Sequence, residues 1–359
     1  MKTNSLKKLR EALQKKDQEI VTLLNDRAQL ALEVGRVKNE NGWEVYDPSR
    51  ERLVYQYLSQ INQGPLPQKA LKEIYREIIS ASRALQGPIT VAFFGPEASF
   101  THLAALAHFG QTARYLPQAT IALVFEQAER ERSAFGVVPI ENSGEGSVKS
   151  TLDRLITTPL SIRAEVFLRI SHYLLASPQK AKKTKKIYSH PQALAQCQGW
   201  LEKNFPQSTL VQVENTAEAA KKVLADKEGA AIGSLQAAQL YGLEVLADRI
   251  EDHPLNTTRF LILGKGQSDS TGSDKTSILF GTTHVPGALL HALEPFAQEG
   301  VNLLRIESYP WPDRMWEYLF FVDFSGHQQD EKVQRCLVKI EKATNFIKVI
   351  GSYPRGETP

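Results

Sequence analysis

The sequence predicts a multidomain chain in three parts: an all-α domain over residues 1–87, an α/β domain over 89–265, and a small βαββαβ domain over 276–354. Three observations predict it. Residues 5–38 keep an unbroken helical period; short apolar strands alternate with helical patterns from Ile89 onward; and the last part reads strand, helix, strand, strand, helix, strand.

In the first part, Leu6, Leu9, Leu13, Ile20, Leu24, Ala31 and Val34 recur at helical spacings, with no proline and with glycine only at Gly35. The period breaks over 39–46. Asp47 is placed to cap a second helix with Pro48 in its first turn, and Gly64, Pro65 and Pro67 end it. A third helix spans 68–85 and stops at Gly87-Pro88. Residues 89–95 then read as a buried strand. Further strands at 134–140, 169–176, 186–188, 230–233 and 259–263 alternate with helical patterns, which predicts a largely parallel sheet. Residues 264–275, rich in Gly, Ser, Asp and Thr, read as a linker. Beyond it, strand 276–282, helix 286–299, strands 301–310 and 317–324, helix 330–344 and strand 346–352 give the split βαβ order of a ferredoxin-like domain.

At 359 residues the chain exceeds one ordinary core, and 42% apolar with 23% charged residues is the balance of a soluble globular protein. The net charge of +3 from 43 basic and 40 acidic residues argues against nucleic acid or a membrane as a bulk partner. Two cysteines without paired spacing, Cys197 and Cys336, read as free thiols in a reducing compartment. The N-terminus has no apolar leader core, so the expected location is cytoplasmic.

The first helix carries Arg10, Arg27 and Lys38. Arg27 and Lys38 are close to three turns apart, so they project from one face roughly 16 Å apart and can converge on one small dianion. Arg10 lies roughly 25 Å from Arg27 along the same helix, so a shared site requires a partner subunit. Asp47, Arg50 and Glu51 follow at the start of the second helix, and Ser82 and Gln86 lie one turn apart on the third. Read alone, these residues describe a solvated charged face more readily than a site. The stretches LKKLREAL, LLNDRAQLALEVGRVK, DPSRERLV and IISASRALQ, covering residues 6–87, resemble the all-helical chorismate mutase family. The resemblance implies a helix-swapped dimer and a rearrangement of chorismate to prephenate that needs no cofactor and no metal. It implies Arg10 and Arg27 on the two carboxylates, Lys38 and Gln86 donating to the ether oxygen, and Glu51 and Asp47 orienting the ring hydroxyl and the site. Arg50 and Ser82 complete the set, and Lys38, Gln86 and Glu51 carry the catalysis.

Three loops stand out in the second part. Residues 95–101 and 138–147 each leave a strand and enter a helical pattern, presenting backbone N–H groups to an anion. The third, Asn256-Thr257-Thr258-Arg259-Phe260, sets a hydroxyl beside a guanidinium, which suits a carboxylated substrate with a leaving hydroxyl. Singly, each is equally a capping or turn motif. Together, GVVPIENS, SHPQALAQC and NTTRF resemble the prephenate dehydratase family over residues 89–265. The resemblance implies two lobes like a type II periplasmic binding protein, one of 89–166 with 255–265 and one of 167–254. Glu141, Asn142, Ser189, His190, Gln196, Thr258, Arg259 and Phe260 match the family's binding positions, with Thr258 as the catalytic hydroxyl and Arg259 as the substrate anchor; a histidine before proline, as His190 is, is more often structural. Two loops depart from the family: Ala98-Ser99 stands where Gly-Thr is usual, and Gly144 where Thr is usual.

In the last part, HVPGALLHAL, VNLLRIESYP and EYLFFVDFSG resemble the ACT family of amino-acid-binding domains. The resemblance implies side-by-side pairing and feedback inhibition by phenylalanine, bound through Gly287, Ala288, Leu289, Leu290, Asn302, Glu307 and Ser308. Tyr309 stands where the family has arginine, which removes a charge from the loop.

Joined, the three resemblances imply a homodimer or dimer of dimers that takes chorismate through prephenate to phenylpyruvate and answers to phenylalanine. Two other classes stay open at the level of sequence: a solute-binding or regulatory protein without turnover, and a dehydratase whose helices only dimerise. Prephenate and arogenate differ only at the side chain, and nothing in the sequence separates them.

Overall fold

The computed structural model describes residues 2–131, 134–178, 184–226, 228–311 and 317–358. The chain forms two compact units, Met1–Thr90 with Phe109–Arg114, and Val91–His108 with Tyr115–Pro359.

The first unit is built on three helices: α1 (Lys2–Glu40), α2 (Pro48–Ile61) and α3 (Gln68–Gln86). α1 runs two residues past the expected end and stops in a Schellman turn. Trp43 N–H donates to the Lys38 carbonyl at 2.8 Å and Gly42 N–H to that of Asn39 at 3.2 Å. Gly42 takes the left-handed φ of 67° that this turn requires. Asp47 caps α2 as expected, its side chain accepting from Arg50 N–H at 2.9 Å with Pro48 in the first turn. α1 lies so close on α3 that a Cβ at Gly35 would stand 2.8 Å from Gln86 Cγ. A neighbouring face of α3 holds the segment Phe109–Arg114: Ser80 Oγ donates to the Phe109 carbonyl at 2.7 Å, and Arg83 Nη2 donates to the same carbonyl at 2.7 Å.

In the second unit the described strands form three sheets. The first has the order 114–118, 90–94, 134–142, 257–264, 161–169, with 146–147 as a short hairpin partner of 134–142. The second has the order 244–247, 173–176, 229–233, 186–189, 209–212. The expectation of a largely parallel sheet is corrected here, because antiparallel pairs run through both sheets, and parallel pairs join 186–189 to its two neighbours in the second. Strand 257–264 runs antiparallel to both of its neighbours, and strand 173–176 does the same in the second sheet. The cause is the path of the chain. It leaves the first sheet along 161–169 and returns along the adjacent 257–264, and two neighbouring strands that leave and return must oppose each other. The single strand expected over 169–176 is likewise divided. Arg169 ends a first-sheet strand, and Tyr173 starts one in the second sheet.

The third sheet, of order 303–310, 318–325, 274–281, 346–354, carries helices 288–298 and 331–343 in the expected βαββαβ order. One core joins it to the first sheet, with Ile162, Leu261 and Leu263 packed among Leu279, Phe321, Ile350 and Tyr353. The approach is so tight at Gly351 that a Cβ there would collide with the Ile162 backbone, so only glycine fits. The stretch read as a linker is tied down as well: Arg163 Nε donates to Ser268 Oγ at 3.3 Å, and His327 Nε2 bonds the Ser268 carbonyl at 2.9 Å. Among the described residues, no helix is long and apolar enough to cross a membrane.

Candidate active sites and sensing loop

In the helical unit, Arg27 Nη1 donates to Ser82 Oγ at 2.5 Å and Lys38 Nζ to the Val45 carbonyl at 2.9 Å. Gln86 lies one turn beyond Ser82, against Gly35, and its Oε1 is buried with no hydrogen-bond partner among the described residues. Glu51 Oε1 stands 3.4 Å from Arg83 Nε. Burial pushes the Glu51 carboxyl up, Arg83 draws it down, Asp47 adds to the rise, and Lys38 opposes it. The structure therefore gathers Arg27, Lys38, Asp47, Glu51, Ser82 and Gln86 where α1 and α2 each pack on α3. Arg50 and Arg10 are exposed, and Arg10 sits far along α1 from the rest. Arg83 was not among the residues picked out by sequence. It is buried against Tyr46 and Phe109, with its guanidinium 5.8 and 5.5 Å from the two ring centres, and a lone arginine on a helix gives no signal of such burial.

In the second unit a polar chain crosses from the first sheet to the second. Asn142 Nδ2 donates to Thr258 Oγ1 at 2.8 Å and to Asn256 Oδ1 at 2.8 Å. Its own Oδ1 accepts the N–H groups of Gly144 at 2.9 Å and Glu145 at 3.2 Å. Asn256 Nδ2 donates to Gln196 Oε1 at 3.0 Å, which also bonds His172 Nε2 at 2.8 Å, while Gln196 Nε2 reaches Glu145 at 3.3 Å. Burial pushes the His172 imidazole down, toward the neutral form. Thr258 Oγ1 accepts from Asn142, and among the described residues its own proton has no acceptor, so it is left to donate.

Of the sequence candidates, the structure joins Asn142, Gln196 and Thr258. Ser189 is buried and donates to the Ile232 carbonyl at 2.9 Å; His190 caps helix 191–196, its Nδ1 accepting from Gln192 N–H at 3.2 Å. Phe260 is a core residue. Arg259 requires a correction. Successive residues of a strand face opposite ways, so the guanidinium next to Thr258 in sequence points away from it. It is 4% exposed, with Nε 2.7 Å from Glu165, Nη1 2.5 Å from Asp323 and Nη2 donating to Tyr353 at 2.9 Å. A guanidinium so enclosed cannot anchor substrate. The same period of two, applied to NTTRF, would have found Asn256 on the face of Thr258.

Glu141 turns to the third sheet, where its carboxylate lies 3.3 Å from Arg305 Nε. The family's usual glycine at position 98 also acquires a reason: Ala98 holds a left-handed φ of 64°, and its N–H donates to His102 Nδ1 at 3.0 Å.

The third sheet carries a cavity of ≈ 560 Å³ lined by residues 282–290 with Glu317, Tyr318 and Phe320. It brings together Gly287, Ala288, Leu289 and Leu290; Asn302, Glu307 and Ser308 are not in its wall. Gly287, at φ 83°, turns the chain into helix 288–298. Tyr309, in place of the usual arginine, donates its phenol to Asp153 of helix 149–157.

Comparison with known proteins places this geometry. Residues 9–87 match the family model for chorismate mutase type II, 91–268 that for prephenate dehydratase, and 276–342 that for the ACT domain. A bifunctional chorismate mutase/prephenate dehydratase of Aquifex aeolicus is 45% identical over 354 residues, covering 98% of both chains. Its counterpart in Stutzerimonas stutzeri is 43% identical over 359 residues, again covering 98% of both. Among solved structures, a prephenate dehydratase of Arthrobacter aurescens in complex with L-Phe superposes with a TM-score of 0.68 at 34% identity, covering 74% of this chain and 90% of its own. The chain belongs to the family of bifunctional chorismate mutase/prephenate dehydratases, with a mutase domain, a dehydratase domain and an ACT domain in one polypeptide.

Proposed function

We propose that the helical unit rearranges chorismate to prephenate, that the Thr258 network of the second unit converts prephenate to phenylpyruvate, and that phenylalanine bound to the ACT domain restrains the pathway. The observation that carries the second step is the Thr258 hydroxyl, held by Asn142 and left with a free proton. Prephenate needs little else. As its ring carboxylate leaves as carbon dioxide, the C–C bonding pair enters the ring. The opposite C–O bond then breaks, and the departing hydroxyl takes a proton to leave as water. Thr258 donates that hydrogen bond, and the Asn142 amide steadies the threonine oxygen as charge gathers on it.

In the mutase step no proton moves. Arg27, with Arg10 from a second copy, holds the two carboxylates, and Lys38 and Gln86 meet the ether oxygen as the C–O bond lengthens. Glu51 and Asp47 orient the ring hydroxyl, and Arg50 and Ser82 support the set. A second copy is also supported by α1 itself, whose Leu9, Leu13, Leu23 and Leu30 are 60–66% exposed in the single chain. The proposed assembly is a homodimer or dimer of dimers.

Phenylalanine is proposed to enter the ≈ 560 Å³ cavity at Gly287–Leu290, with Asn302, Glu307 and Ser308 supplied by a paired domain. Proposed domain limits are 1–87, 89–265 and 276–354, with lobes 89–166 plus 255–265 and 167–254. The unpaired Cys197 and Cys336 support a reducing cytoplasm as the compartment.

Prephenate turnover by full-length Thr258→Ala tests the reading. Phenylpyruvate formation should vanish while chorismate is still consumed; wild-type turnover of prephenate in that variant refutes it.

A further inference from the structure

One guanidinium of the ACT domain touches the hairpin that carries Asn142. Strand 303–310 is an edge of the third sheet, and its period of two sets Arg305, Glu307 and Tyr309 on one face. Arg305 Nε lies 3.3 Å from Glu141 Oε2, and Nη2 donates to Ser147 Oγ at 2.5 Å and to Glu307. Ser147 in turn donates to Glu307. The Arg305 guanidinium also lies over the Phe321 ring, 5.1 Å from the centre. Glu141 and Ser147 face each other across the hairpin, and Asn142 pairs with Gly146 in the next position. Asn142 is thus one residue from the clamp and, on the other face of its strand, donates to Thr258.

Two features set this apart from an ordinary surface ion pair. The guanidinium is mostly buried, with side-chain exposure of 13% against 38% for Glu141, so the pair is less screened than one between two exposed side chains. It is also shared by two carboxylates, Glu141 of the dehydratase hairpin and Glu307 of the sensing strand. Whatever draws on Glu307 changes what is left for Glu141. Tyr309 adds a second tie two residues along, from its phenol to Asp153, so this face of the strand is held to the dehydratase domain at two points.

We propose that Arg305 is a positioning residue for the dehydratase reaction, setting the 141–147 hairpin and with it the Asn142–Thr258 hydrogen bond, and that its sharing with Glu307 is the route by which phenylalanine acts on that reaction. The proposal rests on the reading of Thr258 as the dehydratase hydroxyl and of Glu307 as a phenylalanine contact across the paired domains.

The experiment compares full-length wild type, Arg305→Met, Arg305→Lys and Thr258→Ala for prephenate turnover, with and without phenylalanine, and for chorismate consumption. In Arg305→Met, kcat for prephenate should fall roughly 10- to 100-fold, the scale of a misplaced catalytic group, with KM nearly unchanged and chorismate consumption intact. Its remaining turnover should no longer respond to phenylalanine. Arg305→Lys, which keeps a charge for Glu141 but not the forked contact, should recover part of kcat. Ser147→Ala, which removes one acceptor and little volume, should shift kcat in the same direction by a smaller factor. Wild-type kcat and wild-type inhibition in Arg305→Met would overturn the proposal, as would a lost kcat that Arg305→Lys leaves at the Met level while Ser147→Ala matches wild type. If Thr258→Ala turns prephenate over normally, the underlying reading of the site has failed; if it is dead while Arg305→Met is normal, only the present inference has.

Discussion

Thr258 and Arg259 are neighbours in sequence, yet they serve opposite faces of one strand. The hydroxyl receives Asn142 at 2.8 Å, while the guanidinium is enclosed by Glu165, Asp323 and Tyr353. The two residues should therefore fail differently. Arg259→Met leaves Glu165 and Asp323 short of a cation in a buried network, although Lys275 still pairs Glu165 at 2.8 Å. Breaking a buried pair on one side costs about 3–5 kcal/mol. Thermal unfolding should show a marked drop for Arg259→Met and almost none for Thr258→Ala, with the activity ranking reversed when assayed well below the transition.

The left-handed Ala98 gives a second prediction. A side chain at φ 64° is strained where glycine is not. Relief of that strain is partly offset by the greater freedom of glycine in the unfolded chain. Ala98→Gly should raise stability by about 0.5–1 kcal/mol, and Ala98→Val should lower it; the midpoint of thermal unfolding reports both. No change in either variant would contradict the backbone conformation assigned here.

Arg83 supplies a pH prediction for the mutase. Burial is the largest influence on Glu51 and raises its pKa; Arg83 is the largest of those that lower it, Lys38 also lowers it, and Asp47 raises it. Tyr55 faces the same carboxyl, and its own pKa is pushed up to about 12, first by burial and then by Glu51. In Arg83→Met the carboxyl should rise further, so the acid limb of the mutase pH–rate profile should move to higher pH. The linkage has a definite sign. A carboxyl raised in the folded state favours folding below its unfolded pKa, and that contribution is lost as pH rises through the folded pKa. The variant should thus lie nearest to wild type in stability at acid pH and fall behind as pH rises to neutrality. An unmoved acid limb would remove Glu51 from the site or Arg83 from its control.

Much of this architecture was legible in the sequence, and the parts that were not share a cause. The Asp47–Pro48 start of α2 and the βαββαβ order were readable because caps and buried strands leave strong local signals. The strands at 114–118, 209–212, 244–247 and 161–169 were missed or merged, and all four lie at sheet edges. An edge strand needs no continuous apolar run, and RYLPQ or EVLA carries none. The sites divide in the same way. Asn142 and Thr258 are legible within their motifs, but Arg259 is not, because adjacency along a strand puts two side chains on opposite faces. Arg83 and Arg305 are single arginines whose partners lie 32 and 164 residues away, at Glu51 and Glu141; only the fold brings them together.

The most direct test of the whole account is to give the purified full-length protein chorismate alone and follow phenylpyruvate over time, with and without phenylalanine. The account predicts a brief rise of prephenate, then phenylpyruvate, and suppression of the product when phenylalanine is added. Chorismate left untouched, or prephenate that accumulates without phenylpyruvate, would contradict it.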